Sequence, residues 1–184
     1  MNISNNKRRK QSQEKIEKVF IELIQKKDIN KISVTDIVKL AKINRSTFYA
    51  NYLDIFDLAD KIREKLEQDV FKLYEDEIIN NYNSNNYLKL FKHIKENQIF
   101  YKTYFKLGYD VTFKITIYDT KLAKEHFNNK YIDYHIEFFR NGLTAIIKKW
   151  LNSGCQESPE EINEILMLEY NRKNWELTQF SHLY

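Results

Sequence analysis

Apolar residues recur at helical spacing along most of this chain. In the first periodic segment they fall at i, i+3, i+4, i+7 and i+8, which predicts a helix with one buried stripe, formed by Ile16, Val19, Phe20, Leu23 and Ile24. Three similar segments follow, so the pattern predicts four N-terminal helices, over residues 8–27, 34–41, 45–52 and 54–79. Residues 1–7 are polar and carry no such pattern, and we predict that they are disordered.

A polar, asparagine-rich segment at 80–86 separates these helices from the rest of the chain. It offers no driving force for packing, so we predict a linker there. Segment 111–118 is locally strand-like, but no partner strand is evident, and we predict a helix there as well. The helices predicted beyond the linker cover residues 87–97, 98–108, 111–127, 131–153 and 159–174.

Residues suited to helix caps precede several of these segments. Ser33 and Asp36 form a weaker version of the capping box, and Asn44 precedes the third segment as its cap. Ser158 and Glu161 repeat the box before the last helix. The chain has only 3 glycines and 1 proline, fewer than the turns of a sheet protein need. We therefore predict an all-α fold, with an N-terminal three-helix helix–turn–helix domain and a larger helical bundle as the C-terminal domain.

The positive charge of the chain is concentrated at its N-terminal end. Residues 1–52 hold 12 lysines and arginines against 5 acidic residues, a net charge of +7, whereas residues 53–184 have a net charge of −3. A basic head on a mildly acidic body indicates that the head binds a polyanion. The domains predicted on this basis are residues 1–53 for DNA binding and residues 54–184 for dimerisation and effector binding.

Other classes of protein find little support in the sequence. No run of about 18 apolar residues is present, so no membrane partner is expected. The single Cys155 excludes an internal disulfide, and we expect a cytoplasmic protein. The four histidines are far apart, at His93, His126, His135 and His182. We therefore predict no metal, no cofactor and no enzymatic activity.

Two short capped helices joined by three residues have the layout of a helix–turn–helix, whose second helix enters the major groove. Arginine can pair with guanine and asparagine with adenine, so base contacts are expected near the start of the second helix. Hydroxyls and basic side chains would bind phosphate, the basic ones from a flexible N-terminal arm. The predicted DNA-contacting residues are Lys7, Arg8, Arg9, Thr35, Lys42, Asn44, Arg45, Ser46, Thr47, Tyr49, Asn51 and Tyr52.

Two aromatic residues of the second short helix also fit a structural role. Phe48 falls on the side of the helix that faces the core, and we predict that it is buried. Tyr52 fits a phosphate contact and a core position equally well, so both interpretations stay open for it.

The segment "ISVTDIVKLAKINRSTFYANYLDIFDL" resembles the N-terminal domain of the TetR/AcrR family of bacterial transcriptional regulators, over roughly residues 8–60. The resemblance implies an all-helical homodimer that reads a palindromic operator with its N-terminal helices. It also implies that the larger domain dimerises and usually binds a small-molecule inducer. By position, Tyr49 takes the place of the family's phosphate-contacting tyrosine, and Thr35, Arg45 and Thr47 fall where the family faces DNA.

The chain departs from this family's pattern at two positions. Lys42 stands where the family often has glycine, directly after the first short helix. Ile55 stands where the family often has a phosphate-binding lysine, at the start of the fourth helix. One phosphate contact is therefore lost, and Lys42 is a candidate to replace it.

The segment "FFRNGLTAIIKKWLNSGCQESPEEINEIL" resembles the end of the TetR-like C-terminal domain of low-GC Gram-positive regulators, in the dihydroxyacetone kinase regulator-like subgroup. One branch of that subgroup is a coactivator. The resemblance leaves two hypotheses. The first is a repressor that binds a palindromic operator as a homodimer and is released by a small-molecule effector. The second is a coactivator or adaptor whose C-terminal domain binds a protein partner.

The last two predicted helices carry enough apolar residues for two contact faces each, and one such face suits a dimer partner. The predicted dimer interface comprises Ile136, Phe139, Leu143, Ile147, Trp150, Ile162, Ile165 and Leu166. Aromatic residues with polar tips suit an effector pocket, although most would serve equally well in a core. The predicted pocket comprises Phe105, Tyr109, Tyr118, Tyr134, Phe138 and Arg140. Arg140 fits an ion pair with Glu137 or Asp133 as well as an anionic ligand.

Overall fold

The computed structural model describes residues 3–80, 87–111 and 131–171. Within these ranges the chain forms α-helices and two short 3-10 turns and contains no strand, so the predicted all-α fold is confirmed. The helices are α1 (Ile3–Ile24), α2 (Val34–Ala41), α3 (Arg45–Tyr49), α4 (Ile55–Leu73), α5 (Glu75–Ile79), α6 (Leu88–Glu96), α7 (Gln98–Lys106), α8 (Ile132–Asn152) and α9 (Pro159–Asn171). The helix predicted over 111–127 and the linker predicted over 80–86 lie almost entirely outside the described residues.

Several helix boundaries differ from the sequence prediction, since α1 ends at Ile24 rather than at residue 27 and α3 ends at Tyr49 rather than at residue 52. Helix α1 begins at Ile3, so the prediction of disorder for residues 1–7 is wrong from that residue onward. Extending an existing helix adds one hydrogen bond for each residue fixed, and exposed polar residues accept this without any apolar period. The long helix predicted over 54–79 is divided into α4 and α5 at residue 74.

The chain packs as two compact units. Of the described residues, the first takes 3–72 together with 99–111, and the second takes 73–80, 87–98 and 131–171. Helix α4 and most of α7 therefore pack with the N-terminal helices. The predicted division at residue 53 refers to functions rather than to packing, and it stays a prediction.

The core of the first unit is built from the predicted α1 stripe and the apolar sides of α2, α3 and α4. Ile16 and Phe20 of α1, Phe48 of α3 and Leu58 of α4 are fully buried in one cluster. Two partly buried residues of the α7 segment, Phe100 and Leu107, pack against the same cluster. The predicted burial of Phe48 is confirmed. The helix–turn–helix therefore packs on α1 and α4. Phe100 and Leu107, about 50 positions further along the chain, pack against the same core.

The second unit packs around Trp150 of α8. Its indole forms an edge contact with Phe91 of α6, with ring centroids 5.9 Å apart and an interplanar angle of 85°. The indole Nε1 donates a hydrogen bond to the carbonyl of Glu157, 3.2 Å away, just before α9 begins. The Ser158 hydroxyl then accepts from the backbone N–H of Glu161, as the predicted cap requires.

The stripe predicted to form the dimer interface is mostly the core of this second unit. Its buried members are Leu143, Ile147, Trp150, Ile162 and Leu166, while Ile136 and Phe139 are half-buried, and Phe139 stacks on Tyr87. Of the eight predicted residues only Ile165 is exposed. The prediction that this stripe forms the dimer interface was wrong because α8 is apolar on two faces. The face that carries the regular stripe of apolar residues is covered by the protein's own second unit. The open apolar face of α8 carries Tyr134, Phe138 and Ala145, and Ile165 and Leu168 of α9 are also exposed.

Candidate nucleic-acid interface

The first short helix of the helix–turn–helix begins with a complete capping box. The Ser33 hydroxyl accepts from the Asp36 N–H at 3.1 Å, and the Asp36 carboxylate accepts from the Ser33 N–H at 3.1 Å. The Lys27 ammonium lies 3.0 Å from the same carboxylate and, together with the bonds to Ser33, holds the pKa of Asp36 below its usual value. The start of α2 is therefore fixed, and with it the position of Thr35.

The turn between α2 and α3 passes through Lys42, whose backbone is left-handed, with φ 53° and ψ 50°. This conformation costs an ordinary residue about 1–2 kcal/mol and suits glycine, which explains why glycine is frequent here in the family that the sequence resembles. The N–H groups of Lys42 and Ile43 both donate to the carbonyl of Val38, which closes the helix end. The exposed ammonium of Lys42 is consistent with its predicted phosphate contact.

Three of the residues predicted to contact DNA form one exposed cluster. The Arg45 guanidinium donates from Nη1 to the Thr35 hydroxyl at 3.3 Å and from Nη2 to the Tyr49 hydroxyl at 3.0 Å. Its Cζ atom also lies 5.4 Å from the centroid of the Tyr49 ring. We call these three side chains the arginine cluster. They bring together exposed side chains from both short helices, next to the buried Phe48.

The remaining predicted residues of α3 divide between surface and interior. Ser46 and Asn44 are exposed, and Thr47 is half-buried. Asn44 occupies the N-cap position as predicted, but its side chain makes no capping hydrogen bond. Its backbone carbonyl accepts from the N–H of Thr47. Asn44, Ser46 and Thr47 therefore remain candidates for DNA contact.

Asn51 and Tyr52 lie in the interior, so the prediction that they contact DNA is wrong. The Asn51 amide donates to the carbonyl of Thr47 at 2.7 Å and accepts from Nε of Arg9 at 3.2 Å. The Tyr52 ring packs on Phe48, and its hydroxyl donates to the Glu17 carboxylate at 3.2 Å. Burial and this carboxylate raise the pKa of Tyr52 above its usual value. For Tyr52 the core interpretation of the two left open is correct.

The basic residues before position 11 belong to α1 rather than to a flexible arm. Lys7 and Arg8 are exposed on its first turns, so they can meet phosphate only from a fixed helix. Arg9 is also exposed, but its Nε is engaged by Asn51, which ties the start of α1 to the end of α3. The flexible N-terminal arm that the sequence suggested is therefore replaced by a helix whose Arg9 braces α3.

The start of α4 places residue 55 in the core. Ile55 is buried in the core cluster, with Leu53 and Phe56 exposed on either side of it. A different lysine, Lys61, reaches back from α4 and donates to the carbonyl of Asn51 at 3.0 Å. A cation at this end of α3 complements the helix dipole. Sequence reasoning missed Lys61 because its partner lies ten residues away in another element.

The residues of the predicted effector pocket are divided between the two units. Phe105 and Tyr109 belong to the first, where Tyr109 packs on Tyr104 and donates from its hydroxyl to Asp60. Tyr134, Phe138 and Arg140 belong to the second, and Tyr118 lies outside the described residues. Tyr134 and Phe138 are 78% and 84% exposed, so they line no enclosed cavity of their own unit. Arg140 pairs with Glu137, the first of its two interpretations.

The described part of the chain offers neither a membrane span nor a metal site. No helix there is long and apolar enough to cross a bilayer. The same residues contain no group of three histidine, cysteine or acidic side chains placed to hold a metal ion.

Replacing Asn51 by alanine should lower the free energy of unfolding by about 1–3 kcal/mol, because two hydrogen bonds are lost, one of them to a charged group. Chemical denaturation of both proteins measures the change. Asn44→Ala is the matched control, since that exposed amide makes no capping bond, and it should cost less than about 0.5 kcal/mol. Unchanged stability in Asn51→Ala would refute the brace between α1 and α3.

Comparison with known proteins gives a consistent result. Residues 84–168 match the family model described as "Transcriptional regulator C-terminal region". The chain is 33% identical over 126 residues to the HTH-type dhaKLM operon transcriptional activator DhaS of Lactococcus lactis, covering 67% of this chain and 66% of that protein. It is 24% identical over 179 residues to the uncharacterized HTH-type transcriptional regulator YxbF of Bacillus subtilis, covering 92% of this chain but 45% of that protein.

A solved structure agrees with these relatives. The dihydroxyacetone kinase operon activator DhaS superposes with a TM-score of 0.50 at 25% identity, over 85% of this chain and 92% of that one. The matched proteins are regulators rather than enzymes, which confirms the prediction that the chain is not an enzyme. The helix–turn–helix, the all-α fold and these matches agree, and the chain therefore belongs to the TetR-type family of transcriptional regulators.

Proposed function

We propose that the protein regulates transcription in the cytoplasm by binding double-stranded DNA through α3 and the N-terminal end of α2. The observation that carries this proposal is the arginine cluster, which displays a guanidinium and two hydroxyls on one exposed side of the helix–turn–helix. The three residues of the cluster lie within residues 1–52, the segment that has a net charge of +7. Phosphate attraction would supply affinity, and the cluster would supply base contacts.

Two copies of the chain would bind a palindromic operator. The open apolar face of α8 supports a homodimer, because a partner helix would cover large exposed side chains such as those of Tyr134 and Phe138. Gly142 lies on this face one turn from Phe138, and a Cβ there would meet nothing in its own protomer. A glycine inside a helix costs about 1 kcal/mol, which close approach of a partner helix would offset. Paired α8 and α9 helices would form a four-helix interface.

The direction of regulation has two candidates. The matched protein of Lactococcus lactis and the matched solved structure are both named as operon activators, and this favours activation. Repression with release by a small-molecule effector is the alternative. An adaptor that binds a protein partner is compatible with activation. A reporter gene joined to the protein's own upstream region distinguishes activation from repression. Deleting the regulator lowers reporter expression if the protein is an activator and raises it if the protein is a repressor.

DNA binding itself is tested by selection from randomised duplexes followed by mobility shift. We expect the parent to enrich a palindrome with half-sites about 34–36 Å apart, because two recognition helices must reach the same face of the duplex. Arg45→Ala should reduce discrimination at one position of each half-site by about 1–3 kcal/mol. Failure of the parent to enrich any sequence would refute the proposal.

A further inference from the structure

We infer that Thr35 and Tyr49 are positioning residues that hold the Arg45 guanidinium ready to read a guanine in the major groove. The inference rests on the proposed DNA binding and adds to it which group specifies sequence and how that group is oriented. It changes the expected role of Tyr49. Its hydroxyl would act mainly on the arginine, with phosphate binding as a second task.

The geometry restrains the guanidinium from two sides. Thr35 lies at the start of α2 and Tyr49 at the end of α3, and both hydroxyls accept from Arg45, at 3.3 Å and 3.0 Å. The Tyr49 ring also lies within cation–π distance of the arginine, at 5.4 Å. Tyr49 is itself held by an edge contact with the buried Phe48, with centroids 5.5 Å apart and an interplanar angle of 88°. The arginine is thus anchored to the core through one tyrosine.

The hydrogen bonds within the cluster leave enough donors for DNA. A guanidinium has five N–H donors, and the two bonds to hydroxyls use one on each terminal nitrogen. Three donors remain, and a bidentate contact with guanine O6 and N7 needs two. Both hydroxyls act as acceptors toward the arginine, so each retains a proton that it can donate to a phosphate oxygen. Holding the arginine and contacting the backbone are therefore compatible.

The restraint has a measurable consequence. A free arginine on an exposed surface must lose side-chain freedom when it binds a base, whereas a held arginine has already lost much of it. Removing one restraint should therefore reduce the preference for guanine over adenine at the contacted position by about two- to tenfold. Removing Arg45 itself should reduce that preference by about tenfold or more.

The experiment compares sequence selection by the parent and by four single variants that preserve the fold. Tyr49→Phe keeps the ring and its contact with Phe48 but removes the acceptor. Thr35→Val removes the other acceptor at equal size, and Thr35→Ser restores it as the matched control. Arg45→Ala gives the largest expected loss of the preference for guanine over adenine. The readouts are the guanine-to-adenine ratio at each position, and the affinity for an unrelated duplex over a range of salt concentrations.

We expect Tyr49→Phe and Thr35→Val to lower the ratio at the same position as Arg45→Ala, with Thr35→Ser close to the parent. Loss of a phosphate contact alone would weaken binding to every duplex equally and leave the ratio unchanged. An unchanged ratio in both Tyr49→Phe and Thr35→Val, with the parent still enriching one sequence, overturns the inference and leaves the proposed function standing. Enrichment of no sequence by the parent overturns both.

Discussion

Replacing Phe48 by alanine is expected to lower the free energy of unfolding of the first unit by about 3–5 kcal/mol. The Phe48 side chain has 0% exposure and lies at the centre of the cluster that joins α1, α3 and α4. Its ring contacts Tyr49 and Tyr52, with centroids 5.5 Å and 5.7 Å away. The cavity left by alanine would therefore loosen the tyrosine that holds Arg45. We expect weaker binding to specific DNA even where the unit stays folded.

Thermal and chemical denaturation, followed by circular dichroism, measure this change. Leu53→Ala is the matched control, because it removes a large apolar side chain only five residues away, one that is 79% exposed. It should alter stability by less than about 0.5 kcal/mol. Equal stability losses in Phe48→Ala and Leu53→Ala would contradict the assignment of Phe48 to the core.

Replacing Phe138 by aspartate is expected to abolish the dimer that we propose. The ring is 84% exposed in the protomer, so the substitution should leave the fold of the second unit intact. In a symmetric interface the change occurs twice, and loss of two buried phenylalanines alone removes about 3–6 kcal/mol. The dissociation constant of the dimer should therefore rise by two orders of magnitude or more. Binding to a palindromic operator should fall with it.

Sedimentation velocity over a range of protein concentrations gives the oligomeric state. Gln156→Glu adds a negative charge in the exposed loop between α8 and α9 and should leave the dimer unchanged. Trp150→Ala provides the contrast, because that indole is buried in the protomer and its loss should unfold the unit. A dimer of parent strength in Phe138→Asp, with native stability, would remove the open apolar face from the proposed interface.

The sequence was sufficient wherever the determining contacts are local. The spacing of Ile16 and Phe20 identified α1, and the capping boxes at Ser33 and Ser158 marked where α2 and α9 begin. The pairing of Arg45 with Tyr49 was also accessible, since the two are four residues apart on one short helix, whereas the contact of Arg45 with Thr35 joins two helices. Such features follow from backbone geometry within one or two turns.

The sequence was insufficient wherever the partner lies far along the chain. Asn51 carries the same amide as a base-reading asparagine, and only its hydrogen bond with Arg9, 42 residues earlier, shows that this amide is structural. Trp150 and Phe138 are both large apolar residues of α8. Only Phe91 of α6 reveals which of them is covered within the protomer. Periodicity predicts that a face is apolar, but it does not state which surface covers it.

The α7 segment of the first unit has a consequence for synthesis of the protein. Phe100 and Leu107 pack against the cluster that supports the helix–turn–helix, yet about 50 residues separate them from α3, and part of that stretch belongs to the other unit. A ribosome delivers the chain from its N-terminus, and units fold as their residues emerge. We therefore expect the N-terminal helices to emerge from the ribosome before the last part of their core, and to gain their full stability only once position 107 has left the exit tunnel.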